Sequence, residues 1–377
     1  MYALLFADAG LSTAQISSLF VIWSVVSFVC EVPSGAWADA WSRRRLYALG
    51  SFLIAAGYAT WTLWPAYPGF ALGFVLWGVG GAMQSGTLEA LVYDELAAVG
   101  ADDAYARVTG RAGTVGILAM LAATTLASPA YALGGYPLVG ALSVAVPVVG
   151  GWLALGLPEM PRRESSDEFG GVRGYAATLA TGLREVRGSR FVARTVALAA
   201  LVPGFTALDE YLPLLSRTAG APTALVPLLF ALPALGMAAG SALAGRWAAI
   251  GPRRLAAVLT GAAALLAAGA LSRQLAGMVP IAVAFGALQF AIVVTETRLQ
   301  EVIGSRTRAT VLSVSGFAAE VCAVLLYAGV GAGAAIVPVP VLVACCAVPL
   351  LATGLMAARW LPVHRVGEPS PMDGSRQ

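Results

Sequence analysis

Lysine is absent from this sequence: all 23 basic residues are arginine. Histidine occurs once, as His364, and the four cysteines, Cys30, Cys322, Cys345 and Cys346, sit in apolar runs without CxxC or Cys/His spacing. These scarcities argue against a zinc site or a disulfide framework, and the cysteines read as small buried hydrophobes. A phosphate-binding loop needs a lysine that the chain lacks. Gly329-Val330-Gly331-Ala332-Gly333 has the glycines but no downstream ribose acid, so it reads as helix packing at the end of an apolar run. No triad and no ATPase sequence is found, so no enzyme activity, cofactor, metal or nucleic-acid partner is expected. Charge is scarce too, at 11% of residues, against about 25% in a soluble domain.

What fills the space is hydrocarbon. Hydrophobic residues make up 59% of the chain, and its mean hydropathy is +0.80. A bilayer core takes roughly 20 mostly apolar residues per helix. Runs near 13–36, 46–64, 69–92, 108–128, 134–157, 191–214, 223–248, 255–273, 278–298, 309–333 and 338–360 meet that length, giving eleven complete spans. The expected class is therefore an all-α membrane protein. Orientation follows from the arginines. If Arg43, Arg44 and Arg45 are cytoplasmic, only Arg217 and Arg273 of the 23 face outward. The expected location is a bacterial inner membrane, crossed many times, with a cytoplasmic C-terminus.

One long polar connection interrupts the spans. The expected organisation is an N-terminal bundle over 1–157, a cytoplasmic linker over 158–190, a C-terminal bundle over 191–361 and a disordered tail over 362–377. The linker carries Arg162, Arg163, Arg173, Arg184, Arg187 and Arg190 among flexible Ser and Gly pairs. A solvated tether is the preferred reading; a role at lipid headgroups is the alternative.

The two bundles repeat one another. A shift of 210 positions aligns Gly10 with Gly220, Thr13-Ala14 with Thr223-Ala224, Phe20 with Phe230, Gly35 with Gly245, Trp37 with Trp247, and Arg43-Arg44 with Arg253-Arg254, without a gap. The same shift implies that about twenty residues of a first helix belong upstream of Met1, a helix being built at 1.5 Å per residue. A mis-assigned start or a cropped sequence is the expected cause.

Gly35-Ala36-Trp37-Ala38-Asp39, followed by Arg43-Arg44-Arg45, resembles the loop signature of the major facilitator superfamily. Glu31-Val32-Pro33-Ser34 and Arg308-Ala309-Thr310-Val311-Leu312-Ser313 are similar to bacterial members as well. The resemblance implies two six-helix bundles related by pseudo-two-fold symmetry. It also implies a conformational latch at Gly35, Asp39, Arg43 and Arg44, with Asp39 expected to meet the start of the helix at Arg308-Ala309-Thr310. Ala249 stands where the second copy would carry its Asp, so the latch is expected to be asymmetric. Phe74-Val75-Leu76-Trp77 lacks the fourth-helix Arg of many proton-coupled members, and Ser128-Pro129 comes too late for the Gly-Pro signature of drug antiporters.

Ionisable groups within spans are costly and functional by default. Glu320 lies midway along 309–333 and is expected to be a buried carboxylate, whose neutral form desolvation favours. Asp209 and Glu210 follow the Pro203-Gly204 break, and Glu296 ends the tenth helix, where it is expected to pair with Arg298. These four carboxylates are the candidates for proton or ion coupling; the alternatives are that Glu320 pairs with an Arg or a backbone group and that Asp209 and Glu210 are simply exposed at the outer mouth. The resemblance puts the seventh helix on the central cavity. Trp77, Gln84, Thr87, Tyr211, Gln289 and Thr295 are the candidate cavity residues, although a midplane Gln more often holds helices together.

The expected function is secondary active transport of a small organic molecule by alternating access, as proton-coupled efflux, by a monomer in contact with membrane lipid. Uptake of a sugar or metabolite is the alternative within the fold. A non-transporting sensor or inactive fragment is the alternative outside it.

Overall fold

The computed structural model describes residues 1–159, 172–247, 249–303 and 308–361, nearly all of them helical. The chain divides into two compact units, Met1–Ala176 with Pro222–Ala231, and Ala177–Ala221 with Leu232–Gln377. The expected tail, 362–377, and residues 160–171 of the expected linker lie outside the described residues.

The first unit holds α1 (Tyr2–Asp8), α2 (Thr13–Ala40), α3 (Arg43–Leu63), α4 (Tyr67–Gln84), α5 (Thr87–Ala98) and α6 (Tyr105–Leu155). Short polar side chains set the starts. Ser12 and Gln15 close a capping box on α2, and Ser42 Oγ accepts the Arg45 amide at the start of α3. α4 packs against α2 and α3, and α6 packs against α3. Glycine makes these approaches possible: a Cβ on Gly50 of α3 would stand 2.6 Å from the Gly80 carbonyl oxygen of α4.

Two boundaries differ from the expected spans. The fourth span breaks at Gly86, whose left-handed φ of 67° separates α4 from α5. α6 joins the two runs expected at 108–128 and 134–157, and the break falls at Gly135 (φ 60°, ψ −155°) rather than near Pro129. That backbone region is essentially open to glycine alone.

The second unit is built from α7 (Val172–Gly188), whose first turn falls in the other unit, followed by α8 (Arg190–Gly204), α9 (Leu212–Thr218), α10 (Val226–Trp247), whose start up to Ala231 also falls in the other unit, α11 (Pro252–Leu271), α12 (Met278–Val302), α13 (Arg308–Gly333), α14 (Val339–Cys345) and α15 (Ala347–Trp360). α11 packs on α12, α14 and α15, while α8 packs on α12 and α13. Glycines again sit at the crossings: a Cβ on Gly240 of α10 would lie 2.0 Å from the Gly286 carbonyl oxygen of α12.

Nine helical stretches among the described residues are long and apolar enough to cross a bilayer. One of them, Asp102–Leu155, has 54 residues, about 80 Å of helix and far more than one crossing needs. Divided at Gly135, and with α4–α5 added, the stretches match the eleven expected runs.

The sequence repeat is also a structural one. Shifting α1 by 210 positions gives the bounds of α9, and the chain leaves both through the same bonds. Gly10 N–H donates to Ala7 O, and Leu11 N–H to Phe6 O; Gly220 N–H donates to Arg217 O, and Ala221 N–H to Ser216 O. The expected linker differs from its reading as a tether, since Val172–Gly188 of it is helix.

Candidate functional sites

The arginine loop closes a polar network in the first unit. Ser42 caps α3, which fixes Arg43 and Arg44 in its first turn. Arg43 Nη1 donates to Asp94 Oδ2 on α5 at 2.5 Å. Its backbone amide donates to Glu159 Oε1 at 2.5 Å, and Ser42 Oγ donates to Glu159 Oε2. Arg44 Nη1 reaches the Leu157 carbonyl at 3.0 Å, with its Nε 3.6 Å from Glu159 Oε2. The loop is thereby tied to α5 and to the chain leaving α6. Asp94 and Glu159 were not among the sequence candidates. Glu159 follows Pro158 just beyond an apolar run, and an acid at such a span end was the available signal.

Gly35 and Asp39 lie in α2, but their side chains are outside the described residues, so the Asp39 contact expected at Arg308-Ala309-Thr310 lies outside them too. The second copy of the motif is different. Arg253 and Arg254 are exposed and make no ion pair among the described residues. Arg298 instead serves that end of the second unit. It is buried in α12, with Nη1 2.9 Å from Glu301 Oε2 and Nη2 3.4 Å from the Ile250 carbonyl. This corrects the expected Glu296–Arg298 pair, because Glu296 is exposed. Residues two apart on a helix do not face each other, whereas residues three apart do.

The seventh span is one continuous helical stretch, Arg190–Thr218, that changes type along its length. Between α8 and α9 the chain runs as a 3-10 helix over Phe205–Tyr211, seven residues where such helices rarely exceed about four. Pro203 and Pro213 flank it, and Thr206 Oγ1 bonds back to the Pro203 carbonyl. α13 packs directly on this stretch; a Cβ on Gly204 would meet Cys322 Cβ at 2.6 Å. Asp209 and Glu210 are half-buried within it, and the Asp209 carboxylate accepts the Glu210 backbone amide. Tyr211 is fully buried, its ring 6.2 Å from that of Tyr327. Asp209, Glu210 and Glu320 all act electrostatically on Tyr327, so three carboxylates and two tyrosines form one neighbourhood. Glu320 departs from expectation in its surroundings, being exposed on α13 rather than buried. Depth along a helix does not fix the direction in which a side chain points.

Aromatic rings make up the other candidate surface, in the first unit. Trp77 stacks on Trp23 with ring centroids 5.1 Å apart, and Tyr58 stands 5.7 Å from Trp77. Beneath them Phe6, Phe20, Phe70 and Phe74 are fully buried, and the Trp61 indole donates to the Phe70 carbonyl at 3.0 Å. Trp23, Tyr58 and Trp77 are half-buried at the margin of the cluster.

The bonds of the uncharged polar candidates run to neighbouring turns and helices. Gln84 Nε2 donates to Ser51 Oγ at 2.6 Å, joining α4 to α3. Thr87 and Thr295 are buried and bond back to the preceding turn, at Met83 O and at Ala291 O. Gln289 is half-buried on α12.

The family model for the Major Facilitator Superfamily matches residues 1–327. No curated protein matches the chain at a significant level. The solved structure of the nucleoside transporter NupG is similar with a TM-score of 0.66 and 15% identity, over 95% of this chain and 93% of that one. A D-xylose–proton symporter gives 0.64 and 14%, over 95% and 91%. A bacterial homologue of the human lysosomal transporter Spinster gives 0.63 and 18%, over 96% and 95%. At these identities the likeness is one of fold, and these structures are of membrane transporters, not enzymes.

Proposed function

The chain belongs to the major facilitator superfamily, and from that premise we propose that it is a proton-coupled exporter of small, largely apolar organic molecules. It is a multi-pass membrane protein with a transporter fold. The observation that carries the coupling is the 3-10 segment of the seventh span, which holds Asp209 and Glu210 next to Tyr211, whose ring lies 6.2 Å from that of Tyr327. A 3-10 segment has poorer hydrogen-bond geometry than an α-helix, which leaves its backbone and its acids more open to ions at depth. A carboxylate in such a place exchanges a proton at less cost than it carries a permanent charge.

Trp23, Tyr58 and Trp77 support the substrate class, since half-buried rings offer flat apolar area and few hydrogen bonds. The D-xylose–proton symporter provides a precedent for proton coupling within the fold. We further place the chain in a bacterial inner membrane with its C-terminus inside, acting as a monomer among lipids by alternating access. The arginine loop and the first helix turns it holds serve as the inner latch.

The test is proton flux. The full chain is reconstituted in vesicles holding a pH-sensitive dye, and apolar aromatic compounds are added one at a time under an imposed pH gradient. At least one compound is expected to release protons. Asp209→Asn is expected to lower that flux about tenfold or more, while exchange of labelled for unlabelled compound continues; a tenfold change corresponds to about 1.4 kcal/mol. Unchanged flux in Asp209→Asn, Glu210→Gln and Glu320→Gln alike would sink the coupling role.

A further inference from the structure

We propose that α7 is an interfacial helix that binds the anionic surface of the membrane through Leu183, Arg184 and Arg187. Its opposite face is already engaged. Gly182 and Val186 are buried, Val186 in a cluster with Val196 of α8, Leu299 of α12, and Val311 and Val314 of α13. A Cβ on Gly182 would stand 2.6 Å from the Thr310 carbonyl oxygen, so the helix lies directly on the first turns of α13.

These contacts fix its level. Val196 and Val314 lie in the first two turns of spanning helices, and Leu299 lies in the last turns of another. At 1.5 Å per residue, α7 is thus held within about 10 Å of the ends of the spans. That is the depth at which headgroups meet acyl chains. Only Ser189 separates α7 from the span that starts at Arg190.

The outward face has the composition an interfacial helix needs. At about 100° per residue, Arg184 falls opposite the Gly182–Val186 face, Arg187 about 120° from its centre and Leu183 on its flank, about 80° away. All three are exposed, Leu183 at 39%. Arg190 and Phe191 continue the exposed stretch, Phe191 at 50%. Arg184 bonds only within its own helix, to Ala180 and Thr181, and neither it nor Arg187 has a carboxylate partner among the described residues. Glu185 is the one acid of the helix. An apolar side chain flanked by arginines at headgroup depth is matched in charge and polarity by anionic phospholipid.

The test uses the full chain with Cys30, Cys322, Cys345 and Cys346 replaced by Ala and an environment-sensitive fluorophore on Leu183→Cys. It is reconstituted in phosphatidylcholine alone, or in phosphatidylcholine with phosphatidylglycerol. The emission is expected to shift further to the blue, and quenching by a lipid-borne quencher to rise further, in the anionic vesicles than in phosphatidylcholine alone. Each Arg→Gln change at 184 or 187 is expected to lower the lipid-engaged ratio about fivefold, and Arg→Lys changes to preserve it. High salt is expected to weaken the response of the unchanged chain.

Identical emission in the two lipids overturns the proposal, whether the probe is wet in both or shielded in both by protein. So does a response that survives the double Arg→Gln change. A response to soluble glycerol phosphate in phosphatidylcholine vesicles would mark a small-anion site instead, and would equally overturn it. If the double Gln variant fails to fold, the salt series and the Lys pair decide.

Discussion

Gly10 and Gly220, 210 positions apart, hold the same left-handed backbone, with φ of 88° and 90°. Each ends a seven-residue helix, α1 or α9, and each starts the turn into the next span. Two positions that the sequence aligns have kept one conformation that L side chains avoid, which ties the repeat to a physical need.

A Cβ at either glycine would meet nothing within 4 Å, so the cost of replacing it is backbone strain alone. Gly220→Ala is expected to destabilise by about 1 kcal/mol, and Gly220→Asn by less, because Asn tolerates the left-handed region. Thermal unfolding in detergent checks the order of the two.

Glu159 and Asp94 answer the same arginine loop, but in different surroundings. Asp94 is 49% exposed and Glu159 only 15%. Asp94→Asn is expected to cost less than about 1 kcal/mol and to lose its effect in salt. Glu159→Ala strands the Ser42 and Arg43 donors and is expected to cost about 1–3 kcal/mol. Equal effects of the two changes on unfolding temperature would refute this ranking.

Gly240 sits 2.0 Å, measured from an added Cβ, from backbone that cannot yield. Gly240→Val is expected to destabilise by about 1–3 kcal/mol by forcing α10 from α12. Gly261, with nothing within 4 Å, is the matched control. Folded yield of the two variants by gel filtration is the measurement.

Trp61 has a polar duty inside an apolar cluster. Trp61→Phe keeps most of the ring area but removes the donor to Phe70 O, with an expected cost of about 0.5–1.5 kcal/mol. Trp61→Ala also opens a cavity and is expected to cost about 3–5 kcal/mol. No loss in Trp61→Phe beside a full loss in Trp61→Ala would assign the residue to packing alone.

The architecture was legible because span length and arginine bias are coarse, additive signals that no single contact can undo. The repeat from Gly10 to Arg44 was legible for a similar reason, in that many positions point the same way. What stayed hidden depends on direction. Glu320 is exposed where the sequence suggested burial, since its outlook depends on how α13 is rotated. Glu296 lost Arg298 to Glu301 through helical geometry that residue spacing already contained. α7 was obscured by the polar residues around it, because a short amphipathic helix in a charged stretch shows its character only when Gly182 and Val186 have something to rest on. The change of helix type in the seventh span was signalled by Pro203-Gly204, but its extension to Tyr211 was not.

That extension has a rotational consequence. A 3-10 turn takes three residues and an α turn 3.6, so seven residues of 3-10 helix advance about 140° further than seven of α-helix. α9 therefore resumes out of phase with α8, and its buried side chains, Leu212 to Ser216, cannot be assigned by counting on from Val196 or Ala199. A scan of accessibility along this span will show the period of α8 fail to carry on in phase into α9, where Leu212 to Ser216 are buried in succession. Single-residue insertions in the stretch will then rotate α9 and its loop as one piece.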